Sequence, residues 1–467
     1  MKIDLVFRTV GERTSDLALK LAVQYIQPDA VHIIDNVRPF AAAVQAMLAI
    51  EYDADYVVFM DADCLILEEM RPFLERNDCP YVDCYVLDKF RGKVHMGVHV
   101  TRIDVVKAMQ KIEPPVDDMK YVLRPESRLR NLAMKSLGLN KSFVRVKIFH
   151  DFEQNYEDIF CKYALRELRS RTPRQRLRLQ VPQQLWSEED MDFVVAEAAI
   201  DFARERLSAE RGAEEVAAFI EALPAWAEGV LAEMGVTPKK RLTLADIEAL
   251  KRAWEGALAP KERKVFGIGL SRTGTKSLSQ ALELVDWLVI HNPADITTYR
   301  ELSGGNYRLT LLDEHGFDGM MDIAAAPFFA QLDKAYPGSK FILTVRERES
   351  WLDAMERHWD GKMVYGMMVG QETKLSMRRF LRAATYGTYQ FDRERMGWAY
   401  DRHHEMVYNY FRERPDDLLV LNVTEGEGWE KVCPFLGIPL VEAPFPHVKK
   451  KSKMRDLVVL PGAVDAS

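Results

Sequence analysis

VFGIGLSRTGTKSLSQAL, residues 265–282, sets a short apolar run against a glycine-bearing turn and then a helical pattern. The run reads as a buried strand, and a strand that passes through a glycine turn into a helix is the mark of an α/β unit. A helix amino terminus leaves its first N–H groups unpaired and carries partial positive charge, so such a turn can seat a phosphate or sulfate. Gly269 and Gly274 let backbone approach an anion closely, while Ser271, Arg272, Thr273, Thr275, Lys276 and Ser277 offer donors. The two glycines are spaced as in G-x-x-x-x-G-K-[ST], but Thr275 stands where the lysine belongs and Lys276 comes one residue late. A P-loop small-molecule kinase using ATP and Mg²⁺ is therefore one alternative for this segment. A plain tight turn is the bland one.

Strand-helix alternation continues on both sides of this loop. DGMMDI, KFILTVR and DLLVLNV read as strands and PFFAQLDKAY as a helix. Upstream, IDLVF (3–7), AVHII (30–34), YVVFM (56–60), YVDCYVL (81–87) and KVHMGVHV (93–100) read as strands separated by helical patterns. Such alternation predicts a second α/β layer around a mainly parallel sheet. Between the two, amphipathic helices such as AEEVAAFIEALPAWAEGVLAEM dominate, punctuated by Pro173, Pro182, Pro224, Pro238 and Pro260. The expected organisation is two α/β modules, residues 1–180 and 261–467, joined by a helical connector over 181–260.

Composition narrows the function. The 467 residues are 48% hydrophobic and 29% charged, as in an ordinary soluble globular protein, and the net charge of −7 disfavours nucleic acid as a partner. Five cysteines without regular spacing fit a reducing compartment. MKIDLVF opens as a strand rather than a leader, and no apolar run approaches the ~18 residues that spanning a membrane needs. A cytoplasmic protein with no transmembrane segment is expected.

GLSRTGTKSL resembles the 5′-phosphosulfate loop of the sulfotransferase superfamily, with Arg272 on the family's basic position and Thr275 on its threonine. YPGSKFILTVRERESWL (336–352) resembles the family's 3′-phosphate segment, which places Arg346 on the 3′-phosphate arginine. The family commonly has a serine eight residues further on; here that residue is Ala354, with Ser350 four residues on. PFPHVKKKSK (444–453) falls where the family often has a basic loop, so Lys449, Lys450 and Lys451 would add charge there; a solvated tail is the alternative. The resemblance implies PAPS (3′-phosphoadenosine 5′-phosphosulfate) as donor. Sulfuryl transfer needs cations at the leaving phosphate, here Arg272 and Lys276, and a base at the acceptor hydroxyl. Asp322, followed by Pro327 and Phe328, resembles the catalytic carboxylate of carbohydrate sulfotransferases, with a cap or turn residue as the bland reading. His291, after the apolar run WLVI, is the second candidate base.

YVVFMDADCLIL places Asp61 and Asp63 at the carboxyl end of an apolar strand, where two acids can hold a hard divalent cation. With VFRTVGERT and IIDNVRPFAAAVQAML before it, the segment resembles a GT-A nucleotide-sugar glycosyltransferase. That resemblance implies a nucleotide-sugar, contact of Asp35 with its base or ribose, and Mn²⁺ or Mg²⁺ on Asp63 completed by His150. Asp61 would lie in the donor site, and Gly97 in VHMGVHVTR would leave room for substrate. A non-catalytic glycan-binding module is the alternative for this region. LRELRSRTPRQRLRLQ (165–180) concentrates positive charge; a solvated helix face is the default. Peripheral membrane contact, a diphosphate-lipid acceptor or docking on the second module are its alternatives. Taken together, the modules imply a glycan or glycolipid acceptor that receives a sugar and a sulfuryl group.

Overall fold

The computed structural model describes residues 1–208, 210–258, 261–293, 295–360 and 372–447. Two separate sheets, each flanked by helices, make the two expected α/β modules.

The first sheet contains β1 (Ile3–Thr9), β2 (Ala30–Asp35), β3 (Tyr56–Asp61), β4 (Cys64–Ile66), β5 (Tyr81–Asp88), β6 (Gly92–Arg102) and β7 (Ser142–His150) in the order β2-β1-β3-β6-β5-β7-β4. β1 and β3 are buried throughout, as strands covered on both faces must be, whereas edge strand β2 alternates half-buried and exposed residues. The sheet is mixed rather than mainly parallel. β1 pairs parallel with β2 and β3, but β6 runs antiparallel to β3 and β5 because only three residues separate β5 from β6, too few for a crossover.

The helices that follow do not merely bridge. Met191–Arg206 and Ala213–Met234 bury Ala196, Ala199, Ile200, Val216, Phe219 and Leu223 against Ile159, Phe160 and Tyr163 of the helix Tyr156–Arg169. Pro182 and Pro224, expected as punctuation, both lie inside helices. A proline removes one backbone hydrogen bond, and burial of Leu223, Ala227 and Leu231 along one face of the 22-residue helix offsets that loss.

The second sheet, β8 (Val265–Gly267), β9 (Val289–His291), β10 (Gly319–Met321), β11 (Lys340–Thr344) and β12 (Leu418–Leu421), is parallel at every pairing, in the order β12-β11-β8-β10-β9. All its carboxyl ends therefore open on one edge, which is where ligands bind in sheets of this kind. The modules dock through Arg145 N donating to His315 O (2.8 Å), through Tyr85 and Phe143 packed against Phe317, and through ion pairs of Arg174 and Arg178 with Glu283. Among the described residues no helix is long and apolar enough to cross a membrane.

Candidate functional site

At the carboxyl edge of the second sheet, four neighbouring strands deliver four elements in a row. β9 ends on His291, β10 is followed by Asp322, β8 runs into the glycine loop, and β11 leads to Arg346. The strand at 264–270 is shorter than expected. Ile268 N still donates to Ile342 O (2.9 Å), but the chain then leaves the sheet. Gly269 passes so close to β11 that a Cβ there would lie 1.9 Å from Thr344 Oγ1 and 2.6 Å from Thr344 O. Arg272 (φ +76°) and Gly274 (φ +114°) turn the chain through the left-handed region into the helix Thr275–Leu284. Thr273 Oγ1 donates to Leu270 O (2.7 Å) and meets Thr344 Oγ1 (2.6 Å), and Trp351 Nε1 donates to Ser271 O (2.9 Å). Thr275 and Ser277 are buried, Arg272 is half-buried and Lys276 is exposed. Burial and the neighbouring Arg346 both push the Arg272 guanidinium below its usual value, as expected for cations gathered with no anion between them.

Asp322 begins a 3₁₀ turn at φ +70°, and both of its oxygens are engaged. Oδ1 accepts from Ser271 Oγ and from Ile323 N (2.7 Å); Oδ2 accepts from Thr275 Oγ1 (2.8 Å) and lies 3.2 Å from His291 Nε2. Burial alone would raise this carboxyl, but the bonds from His291, Ser271 and Ile323 N–H outweigh it and hold it down to about 2. Since Thr275 gives its proton to Asp322, its oxygen, 3.1 Å from His291 Nε2, is left to accept. The network thereby assigns the proton of neutral His291 to Nε2 and leaves the lone pair on Nδ1.

A depressed carboxyl contributes stability that is present above its unfolded value near 3.8 and is lost as pH falls through its folded value of about 2. On that basis Asp322 supplies on the order of 2 kcal/mol near neutral pH. Acid denaturation of Asp322→Asn is expected to fall less steeply between about pH 4 and pH 2 than that of the parent; parallel curves would contradict it.

Ser350 Oγ accepts from Arg346 Nε (3.0 Å) and Nη2 (2.8 Å), while Arg346 Nη1 reaches Arg272 O (3.4 Å). Ala354 is buried in the core. Lys449, Lys450 and Lys451 lie outside the described residues.

In the first module a cavity of about 850 Å³ opens at the carboxyl ends of β1 and β3. Asp61, Asp63, Gly97 and His150 line it, whereas Asp35 is exposed at the end of β2, outside the cavity wall. Asp61 accepts from Arg8 Nε (2.7 Å), and Arg8 Nη1 donates to Glu126 Oε2 (2.6 Å). Burial raises the Asp61 carboxyl despite Arg8 beside it. At Gly97, on the cavity wall, a Cβ would lie 2.9 Å from Cys64 Sγ and 3.2 Å from His150 Cδ2, so the glycine also makes room for these two side chains.

Asp63, Cys64 and His150 bring possible ligand atoms within 4.8 Å of one another, as do Asp88, His95 and His150, but the acids of both groups are already paired with cations of the chain. His150 Nε2 lies 3.7 Å from Asp63 Oδ2, but the Lys162 ammonium already sits between Asp63 and Asp151, bonded to both. Arg166 Nη2 pairs with Asp151 (2.8 Å) and Asp88 (3.2 Å), and His150 Nδ1 lies 2.9 Å from Asp88 Oδ2. Burial opposes the His150 cation, yet Asp151 and Asp63 overcome it and raise the imidazole. Asp63, Asp88 and Asp151 thus face Lys162, Arg166 and the His150 imidazole, and each of the three acids is already paired within the chain. Cys64, beside Asp63, is held as a neutral thiol by burial and the adjacent acids, so it adds no anionic ligand.

The sequence reading missed Lys162, Asp151 and Asp88, and gave the arginine stretch a solvated face as its default, with docking on the second module among the alternatives. Arg166, Arg169, Arg174 and Arg178 instead line the cavity, and the last two also pair with Glu283 of the second module. The available signal was spacing: Lys162, Arg166 and Arg169 recur at helical intervals on one face.

Residues 264–454 match the family model described as a sulfotransferase domain. A curated relative, Ava biosynthesis cluster protein M of Aspergillus versicolor, is 26% identical over 212 residues, spanning 40% of this chain and 80% of its own. Among solved structures, A197 from STIV is 14% identical, with a TM-score of 0.26, over 33% of this chain and 87% of its own. The catalytic domain of Drosophila beta1,4galactosyltransferase 7 is 12% identical, with a TM-score of 0.23, over 30% of this chain and 64% of its own. The match to a sulfotransferase domain spans both the glycine loop and Arg346, which lie on one sheet edge.

Proposed function

We propose that the protein transfers a sulfuryl group from PAPS to a hydroxyl of a glycan or glycolipid, and that its amino-terminal module binds a nucleotide-sugar. The observation that carries the donor reading is the contact of Arg346 with Arg272 O, which unites the expected 5′ and 3′ segments in one site. In this reading the 5′-phosphosulfate lies on the loop N–H groups, with Arg272 and Lys276 near the bridging oxygen. Arg346, aimed by Ser350, takes the 3′-phosphate. The acceptor oxygen attacks sulfur as the bond from sulfur to the bridging oxygen breaks, and the acceptor proton passes to a base.

That base is His291 through Nδ1. Asp322, expected in this part, is already saturated with hydrogen bonds and too acidic to hold a proton near neutrality, so it orients the imidazole instead. The loop binds anion through backbone and arginine with no lysine at the Walker position, which favours PAPS over ATP with Mg²⁺. Five free cysteines support a reducing compartment, the cytoplasm. The nucleotide-sugar reading is supported by Asp61 and Asp63 at a strand end on a cavity of ligand size. Sugar transfer on this module, rather than binding alone, would make the protein bifunctional, and Asp63→Ala separates the two.

Calorimetric titration with PAP, the desulfated donor product, tests the donor site. Arg346→Ala is expected to weaken PAP by about 10- to 100-fold, the worth of a charge-assisted contact to phosphate. ATP with Mg²⁺ binding in place of PAP would sink the sulfotransfer reading.

A further inference from the structure

The amino-terminal cavity carries more positive charge than its acids absorb. Arg8 and Arg130 close on Glu126, Arg166 on Asp88 and Asp151, and Arg174 and Arg178 on Glu283. Arg91, Arg124 and Arg169 also line the cavity, and among the described residues none of the three has a carboxylate partner. Arg169 gives only Nε, to Leu123 O (2.8 Å), and Arg91 Nη1 faces a ring nitrogen of His95 (3.1 Å). Beside them Arg166 Nε is a buried donor with no acceptor among the described residues. Burial, reinforced by repulsion from neighbouring arginines, pulls Arg91 down to about 10 and Arg169 to about 9, while Arg124 stands exposed on the cavity wall. Gathering like charges inside a molecule without a counter-charge is costly, and a bound anion removes that cost. Guanidinium forks match the paired oxygens of phosphate and carboxylate alike, and a diphosphate offers enough oxygens to engage several forks at once.

We propose that this cavity binds the diphosphate of its ligand without a divalent cation, on Arg91, Arg124 and Arg169, with Lys162 in the place between Asp63 and Asp151 that a metal would take. The proposal takes the identity of the ligand, a nucleoside diphosphate or its sugar ester, from the nucleotide-sugar reading above. The anion site itself rests on the arginines. It departs from the Mn²⁺ or Mg²⁺ expected on Asp63 and His150 because a divalent ion there would have to evict an ammonium bonded to both Asp63 and Asp151.

The test is calorimetry on the full chain, with PAP present at saturation to fill the second module. UDP, GDP and inorganic pyrophosphate are titrated in EDTA and again with Mn²⁺. The expected result is binding of a nucleoside diphosphate in EDTA, changed less than about twofold by Mn²⁺ and weakened at least about tenfold in Arg169→Ala. Arg124→Ala, at an exposed position, is expected to weaken it in the same direction, and an unchanged circular dichroism spectrum and melting curve show that each variant is folded. Nucleotide binding that requires Mn²⁺ overturns the metal-free site while leaving the nucleotide-sugar reading intact. Pyrophosphate binding without nucleotide binding keeps the anion site and removes that reading. Binding of none of the three, or binding indifferent to both substitutions, overturns the proposal.

Discussion

His291→Ala is expected to lower kcat for sulfuryl transfer by about 10²- to 10⁴-fold, the usual worth of a positioned general base, while leaving PAP affinity nearly unchanged. The separation of the two effects follows from the order along the sheet edge. β9, which carries His291, lies at one side of the row, and β11, which leads to Arg346, lies on the other side of the glycine loop. His291 therefore faces the acceptor end of a donor laid across the loop. Its Nε2 is committed to Asp322 and Thr275, so only Nδ1 can receive the acceptor proton. Added imidazole is expected to restore part of the lost rate in the alanine variant, which a purely structural histidine would not allow. A decrease in kcat of less than about tenfold would assign proton removal elsewhere.

Gly269→Ala is expected to abolish measurable PAP binding and to destabilise the second module by about 1–3 kcal/mol. The new Cβ would sit 1.9 Å from Thr344 Oγ1, 2.6 Å from Thr344 O and 2.9 Å from Thr273 Oγ1. Two of these atoms belong to a buried strand residue, and the third is the side chain that pins the loop through Leu270 O. No flexible side chain is available to move aside, so the loop itself must lift. Its N–H groups would then miss the phosphosulfate. Ligand-induced stabilisation reads this directly: PAP at about 100 times its Kd raises the stability of the parent by ~2.7 kcal/mol, and the variant should show none. A variant with parental PAP affinity would mean that the anion is not held by this loop.

The division into two α/β modules was legible because burial pattern is local. IDLVF and YVVFM, apolar but for Asp4, become interior strands, and AEEVAAFIEALPAWAEGVLAEM becomes one helix over the span its apolar spacing outlines. That Ser350 aims Arg346 was not legible: Arg346 lies ahead of the helix Arg348–Trp359, so helical spacing does not govern the pair. Strand direction was not legible either. A run such as YVDCYVL is equally apolar beside a parallel or an antiparallel partner, and only the three-residue link to β6 decides between them.

The sequence by itself determined the chemistry on offer: a glycine turn that can hold an anion, a basic residue on each phosphate segment, acids at strand ends and an arginine-rich helix face. Tertiary structure alone decided how that chemistry is spent. Asp322 looks like a base until Ser271, 51 residues away, and His291 close on it. Asp63 looks like a metal ligand until Lys162, 99 residues away, reaches it. The charge state and duty of a buried acid depend on which donors the fold brings within about 3 Å, and periodicity along the chain records which faces are buried but not what they face.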